Sequence, residues 1–586
     1  MSKRSRRFIS YVICLLLIVS LIMQVAFAAP AEVKRLPFAA DTVYFNGNIY
    51  TVDEKFSKAT AMAIKDGKFI FVGDDNQIDY FIDRYTKVID LKGKTVIPGL
   101  IDSHLHYPGI GATVQQIDCF WAPKEEILNK VAEAVKRSQP GEWIIGRGWN
   151  QEVWDPAIFP SKLELDAIAP NNPVVLTRVC GHAIWANSAA MKIGGIDVDG
   201  VTPNPVGGEI IRKTAEDEAK GRYKGIKVGE AIGVFTDTAA GIITKHKPDP
   251  TENQLIDQLR LAQDHILSYG ITSVRDAGSG VDTFNRLKEL YEKDELKIRI
   301  YMMASEGESA EQFYKMPTEE RIGLFGDRFN VRSIKLMADG SLGARSAWML
   351  KEYSDRKGHI GDPRYTDEEL YEYVKKAAEA GFQVNTHAIG DAANRQVLDI
   401  YEKVIKELNL KDHRFAIEHA QVIALEDIPR FAELGVLPSM QFVHATSDLN
   451  MAEDRVGPER IKGAYAWRKL IESGSIIPNG TDAPVELVNP FHGFYAAVTR
   501  KTRDGFPEGG WYTEECLTRE EALRAYTIWA AYAQFQEDKI GSIEEGKYAD
   551  FVVIDRDYMS CPVDELKDIN ALMTVIAGEV VYEAKK

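Results

Sequence analysis

The stretch Val96-Ile97-Pro98-Gly99-Leu100-Ile101-Asp102-Ser103-His104-Leu105-His106 is an apolar run that turns polar only towards its end. Side chains alternate along a strand, so His104 and His106 share one side and Leu105 takes the other. Two imidazoles on one face at the C-terminal end of a strand suit a metal ion. Alone the pair decides nothing, because two histidines satisfied by hydrogen bonds give the same pattern.

The surroundings change its weight. Between residues 98 and 535 short apolar runs alternate with helical patterns. Candidate strands fall at 98–106, 174–178, 271–276, 331–337, 383–387, 415–419, 436–441 and 476–482, and helical patterns at 367–380, 392–408 and 425–434. Eight strands with helices between them predict an α/β chain with a (β/α)8 TIM-type barrel; a doubly wound open sheet is the alternative. Lys335 lies near the end of its strand, and His387, His419 and Asp482 close theirs. The chain has 11 histidines, and four of them sit at such strand ends. In a barrel these ends meet at one mouth, and imidazole with carboxylate there favours zinc or a similar divalent ion.

The chain ends read as strands too. Thr42 to Val52 and Ala61 to Gly73 carry Asn46-Gly47 and Asp66-Gly67 as hairpin signals, and 549–555 and 575–582 match them near the C-terminus. Neither group buries both faces of a sheet alone. The expectation is a small β-sandwich built from both ends, 29–97 with 536–586, around a barrel with insertions at 98–535.

Pro98-Gly-Leu-Ile-Asp-Ser-His-Leu-His, with Lys335, His387, His419 and Thr481-Asp482, resembles the amidohydrolase superfamily. Gly148-Trp149-Asn150-Gln151, Gly181-His182, Lys335-Leu-Met-Ala-Asp-Gly-Ser-Leu-Gly-Ala-Arg345, His387-Ala-Ile-Gly-Asp391 and His444-Ala-Thr-Ser-Asp448 are similar to its amidohydrolase-3 branch, which contains N-substituted formamide deformylases. The resemblance implies a first metal on His104, His106, Lys335 and Asp482 and a second on Lys335, His387 and His419. A protonated lysine has no lone pair, so Lys335 would ligate only after carboxylation by CO₂; a structural lysine paired with Asp339 or another carboxylate is the alternative. The ion would acidify a bound water and polarise the scissile carbonyl, while Asp482 passes the water's proton to the leaving nitrogen. His444 and His182 are candidates for polarising the substrate carbonyl, with a hydrogen-bonded core role equally open. Asp276 and Asp391 would orient ligands or cap helices, Trp149, Asn150 and Trp154 would line a pocket or pack, and Arg345 would hold a substrate carboxylate or form a surface ion pair. His246, His265, His359, His413 and His492 lack strand-end context. The implied reaction is hydrolysis of a non-peptide C–N bond. A lactone, ester or phosphoester hydrolase and a catalytically silent binding or regulatory protein on the same scaffold are the rivals.

Composition excludes other classes. With 586 residues, 45% hydrophobic and 27% charged, the chain is neither disordered nor a small disulfide scaffold. A net charge of −16 argues against sequence-independent nucleic-acid binding, and no P-loop, G-x-G-x-x-G after a strand or G-x-S-x-G elbow occurs. A small-molecule substrate is the expected partner, and a homodimer stays open. Lys3, Arg4, Arg6 and Arg7 precede the apolar run 12–23, and Ala26-Phe27-Ala28 offers a cleavage site. This predicts a signal peptide over 1–28 and a periplasmic or secreted protein, with an N-terminal membrane anchor as the alternative. Losing those four basic residues takes the net charge from −16 to −20 and leaves no stable membrane insertion. Cys119, Cys180, Cys516 and Cys561 form no C-x-x-C pair, and free buried thiols are expected over a disulfide.

Overall fold

The computed structural model describes residues 38–120, 122–151, 154–178, 181, 183–196, 202–205 and 208–585. The segment 1–28 expected to be a signal peptide, His182 and Cys180 lie outside them.

Seven parallel strands form the central sheet: β1 (Leu100–Leu105), β2 (Ile271–Ser279), β3 (Arg299–Ser305), β4 (Phe329–Met337), β5 (Gln383–Ala388), β6 (Ala416–His419) and β7 (Leu437–Ser439). Their spatial order follows the chain, each paired to the next, as successive β-α units with right-handed crossovers require. Residues 476–482 close the ring without forming a regular strand. Gly480 N donates to Met440 O at 3.0 Å on the β7 side, and Asp482 N donates to His104 O at 2.7 Å on the β1 side. Gly480 is required by this closure, since a Cβ there would stand 2.3 Å from His104 N. The main core lies between the strands and their helices, among them Asp367–Glu379 and Asp391–Glu407. Each of those helices buries a 3.6-residue apolar stripe, through Leu370, Val374 and Ala377 in the first and Val397, Tyr401 and Val404 in the second.

Both chain ends build one sheet. Asn48–Tyr50 and Thr95–Pro98 join Phe551–Ile554, Ala571–Ile576 and Glu579–Glu583, with Thr95–Pro98 antiparallel to Phe551–Ile554. A four-stranded sheet from Thr42–Phe45, Ala61–Lys65, Lys68–Gly73 and Lys87–Asp90 packs on it through Tyr44, Ile64, Phe69, Val96 and Phe551. Asp66-Gly67 is a tight hairpin, with Lys65 paired to Lys68 and positive φ at both turn residues. Asn46-Gly47 is not a hairpin, because the chain changes sheets there; Thr42–Phe45 and Asn48–Tyr50 lie in different layers.

One predicted barrel strand belongs elsewhere. Val174–Arg178 sits in a separate six-stranded sheet with Ile117–Asp118, Ile144–Trp149, Ala183–Ala186, Ile210–Arg212 and Ala231–Thr236. The barrel's third strand is instead Arg299–Ser305. An apolar run reports a buried strand, not the sheet it joins. Arg299 also hides this one, since a buried arginine reads as surface; its guanidinium pairs with Asp550 at 2.6 and 3.0 Å, tying the barrel to the C-terminal strands.

Cys119, Cys516 and Cys561 are free thiols, and burial pushes the Cys119 thiol up to about 12, leaving it unreactive. Among the described residues no helix is long and apolar enough to cross a membrane.

Candidate metal centre

The C-terminal ends of the barrel strands gather most of the candidate side chains. His104 leaves β1, His106 follows one residue beyond it, and Asp482 ends the closing segment. Donor atoms of these three lie within 4.8 Å of one another. Asp482 Oδ1 is 3.2 Å from His106 Nε2 and 3.6 Å from His104 Nε2. His419, His444 and Asp482 form a second such set, with His444 Nε2 at 3.6 Å from Asp482 Oδ2. Asp482 is therefore common to both. The backbone is bent to achieve this: Asp482 (φ 59°) and His419 (φ 74°) adopt left-handed conformations that few non-glycine residues take.

Each central imidazole is held from behind. His104 Nδ1 meets Glu418 Oε2 at 2.5 Å, and His419 Nδ1 meets the Gln441 amide oxygen at 2.6 Å. An acceptor on Nδ1 puts the proton there and leaves Nε2 with a lone pair facing the site. Asp102 ties the neighbouring strands, accepting from His104 N, Thr481 N and Thr481 Oγ1 at 3.1, 3.0 and 2.6 Å.

The electrostatics favour ligation. Burial, with Lys335 nearby, pushes the His104 imidazolium down to about 4. Burial, then the cationic forms of His387 and His104, keeps His419 neutral well below its ordinary value. Burial alone would raise the Asp482 carboxyl, but His106, His104, His419 and His444 outweigh it and hold the group ionised. His104 and His419 thus stand as neutral imidazoles beside a carboxylate, the protonation states a divalent ion selects. Asp482 Oδ1 and His444 Nε2 are buried with no hydrogen bond of acceptable geometry, and the donor set fits zinc-type ligation.

Lys335 and His387 stand differently. Lys335 is buried in the barrel interior and, among the described residues, makes no ion pair with Asp339; the carboxylates that act on its charge are Glu418 and Asp482. Burial pushes its ammonium down from the usual lysine range. His387 stacks edge-on to His419, with ring centroids 4.6 Å apart, yet its Nε2 faces Gly340 O at 3.3 Å and Asp339 Oδ1 at 3.4 Å. Asp339 is itself occupied with main-chain amides, accepting from Trp348, Ile389 and Gly390 at 2.9, 3.0 and 2.8 Å.

Other candidates lie outside the cluster. Arg345 forms a two-pronged ion pair with Asp355 at 3.0 and 2.7 Å. Asp276 accepts from Tyr107 N at the start of the helix after β1, and Asp391 accepts from Leu350 N. Trp149 donates to Leu176 O and packs with Trp154 in the insertion sheet, where Asn150 accepts from Arg178. The residues missed by pattern reading are Glu418, Arg275, Asp102 and Gln441. A signal existed for Glu418: a carboxylate inside the apolar strand 415–419, one position before a strand-end histidine.

The chain matches the amidohydrolase family model over residues 87–582. It is 33% identical over 558 residues to the protein LONG AFTER FAR-RED 3 of Arabidopsis thaliana, covering 93% of this chain and 92% of that one. It is 28% identical over 562 residues to an N-substituted formamide deformylase of Arthrobacter pascens, covering 93% and 98%. A crystal structure of an uncharacterized metal-dependent hydrolase from Pyrococcus furiosus superimposes with a TM-score of 0.68 at 28% identity, over 89% of this chain and all of that one. With histidines and a shared aspartate converging at the mouth of a parallel barrel, the chain belongs to the amidohydrolase family of metal-dependent hydrolases.

Proposed function

We propose that the protein is an exported amidohydrolase that cleaves a non-peptide C–N bond in a small amide, formamide or cyclic amide. The observation that carries this reading is the pair of three-donor sets sharing Asp482, with Asp482 Oδ1 and His444 Nε2 buried and bare. Buried donors without partners cost stability, so a fold that keeps several together needs something to occupy them. His104, His106 and Asp482 would hold one divalent ion, zinc by donor type, and His419 would hold a second together with His387 and a carboxylated Lys335, with His444 beside it. When bound, such an ion supplies Lewis acidity, lowering the pKa of a water towards neutrality and polarising a carbonyl oxygen.

The chain's own groups do the rest. Asp482, held ionised at neutral pH, accepts the proton a water loses as it attacks the carbonyl carbon. It then delivers that proton to the departing nitrogen, which leaves as an amine when the C–N bond breaks. His182, proposed from the sequence, polarises the substrate carbonyl. Lys335 is proposed to add CO₂ through its neutral amine, losing one proton to solvent and becoming a carbamate able to ligate beside His387 and His419. Its lack of an ion-pair partner among the described residues and its depressed ammonium favour the reactive amine. Export rests on the N-terminal segment 1–28. The relative in Arthrobacter pascens supports the choice of C–N bond.

The test is metal analysis of the purified protein followed by a screen of formamides, N-acyl compounds, lactones, esters and phosphoesters. At least one equivalent of divalent ion and turnover of an amide class are expected. Less than one equivalent overturns the metal reading, and turnover confined to lactones, esters or phosphoesters overturns the C–N assignment.

A further inference from the structure

We infer that Glu418 and Arg275 are positioning residues that aim His104 at the metal, an inference resting on the reading of His104 as a ligand. Glu418 and Arg275 are fully buried inside the barrel, on β6 and β2. Glu418 divides its two oxygens: Oε2 takes His104 Nδ1 at 2.5 Å, while Oε1 takes Asn385 Nδ2 at 2.7 Å and faces Arg275 Nη2 at 3.7 Å. Among the described residues Arg275 has no other anionic neighbour within ion-pair distance. Among the described residues none of its three guanidinium nitrogens makes a hydrogen bond, and the guanidinium carbon lies 5.6 Å from the Tyr301 ring.

That arrangement is a poor stabiliser. A buried ion pair with imperfect geometry returns less than its desolvation costs, and apolar replacements of similar volume are often neutral or favourable for the fold. What the pair supplies is direction. Asn385 and Arg275 hold Glu418 from the barrel interior, so its outer oxygen stays on His104 Nδ1. The imidazole then keeps the tautomer and ring angle that turn Nε2 towards Asp482 and His106. Arg275 reaches His104 through Glu418, its ion-pair partner.

The experiment uses the full chain with Co²⁺ as probe, in the wild type, E418Q, R275M and the doubly apolar E418L/R275M. The double variant removes both charges at once, so it keeps the test alive if a single variant leaves an unpaired charge and does not fold. Its Co²⁺ affinity, measured against a chelator, is expected to fall about 10- to 100-fold. Its cobalt absorption bands should shift while its metal-free melting temperature stays at or above that of the wild type. R275M should lose less than the double variant. E418Q, whose amide oxygen still accepts from Nδ1, should retain more affinity than E418L/R275M. Wild-type affinity and unchanged cobalt bands in the double variant would overturn the proposal. A wild-type protein that binds no Co²⁺ defeats the metal reading instead. The imidazole ¹⁵N signals of His104 in the metal-free protein then decide the relay: Nδ1-protonated in the wild type and altered in the double variant supports it, and the same tautomer in both overturns it.

Discussion

The two sides of the barrel mouth are built by different means. On the side where β1 meets the closing segment, main-chain hydrogen bonds fix the ligands: Asp482 N on His104 O at 2.7 Å and His106 N on Ala483 O at 2.8 Å. Asp102 clamps both strands from beneath. His104, His106 and Asp482 are thereby brought to ligating separations. On the β4–β5 side a main-chain bond, Ala338 N on His387 O at 2.8 Å, also closes the strand ends, but the side chains there do not form a ligating set as they stand. Lys335 is buried and, among the described residues, unpaired, and His387 leans on Gly340 O and Asp339 rather than towards its neighbours. The contrast teaches that a half-site of imidazoles and a carboxylate needs no further chemistry to be complete, whereas one that depends on a lysine does.

Asp482 is the shared member, so it gives the largest effect. Asp482→Asn keeps the shape and removes the charge that sits between His106 and His444. Turnover of whichever substrate the screen identifies should fall by about 10²–10⁴-fold, the worth of a positioned acid–base group, while much of the metal bound through His104 and His106 is retained. Steady-state kinetics alongside metal analysis checks this, and undiminished kcat would remove Asp482 from proton transfer.

Lys335→Met addresses the other side. If Lys335 supplies a ligand only as a carbamate, the variant should lose the more weakly held ion and keep the one on the β1 side. In the wild type, bicarbonate should speed reconstitution of the metal-free protein and have no effect on the variant. Equal metal content and equal bicarbonate response in both proteins would show that the two sides do not differ as described.

How much of this was visible in the sequence follows the same division. The strand-end histidines and Asp482 stand out because polar residues interrupt apolar runs, and a strand's alternation already places His104 and His106 together. The sandwich strands were legible from alternation and from Asp66-Gly67. Arg275 was not, and Glu418 showed only as a carboxylate one position before a strand-end histidine, because a charge inside a strand pattern reads as a solvent-facing position until its partners on other strands are known. The exchange of Val174–Arg178 for Arg299–Ser305 has the same origin. Pattern gives an element's existence, while sheet membership is decided by contacts far apart in the chain, such as Arg299 with Asp550. His444 lies on the helix Phe442–Asp448 and not at a strand end, so no periodicity pointed to its place beside Asp482.

Arg345 closes the comparison from outside the mouth. Its motif runs on from Lys335, which invites a role in holding a substrate carboxylate. Yet both of its hydrogen bonds to a carboxylate go to Asp355, which also pairs with Arg455. A guanidinium engaged in this way has its planar fork already filled, and releasing it for substrate would break a charge-assisted pair. Partly exposed pairs of this kind are worth about 0.2–1 kcal/mol. Arg345→Gln should therefore lower the melting temperature slightly and, with its fork engaged by Asp355, leave kcat and KM within about twofold of the wild type. A large rise in KM confined to carboxylate-bearing substrates would return Arg345 to the binding site. It would also mean that the loop after Asp339 rearranges when substrate arrives, making the β4–β5 side of the mouth adaptable where the β1 side is fixed.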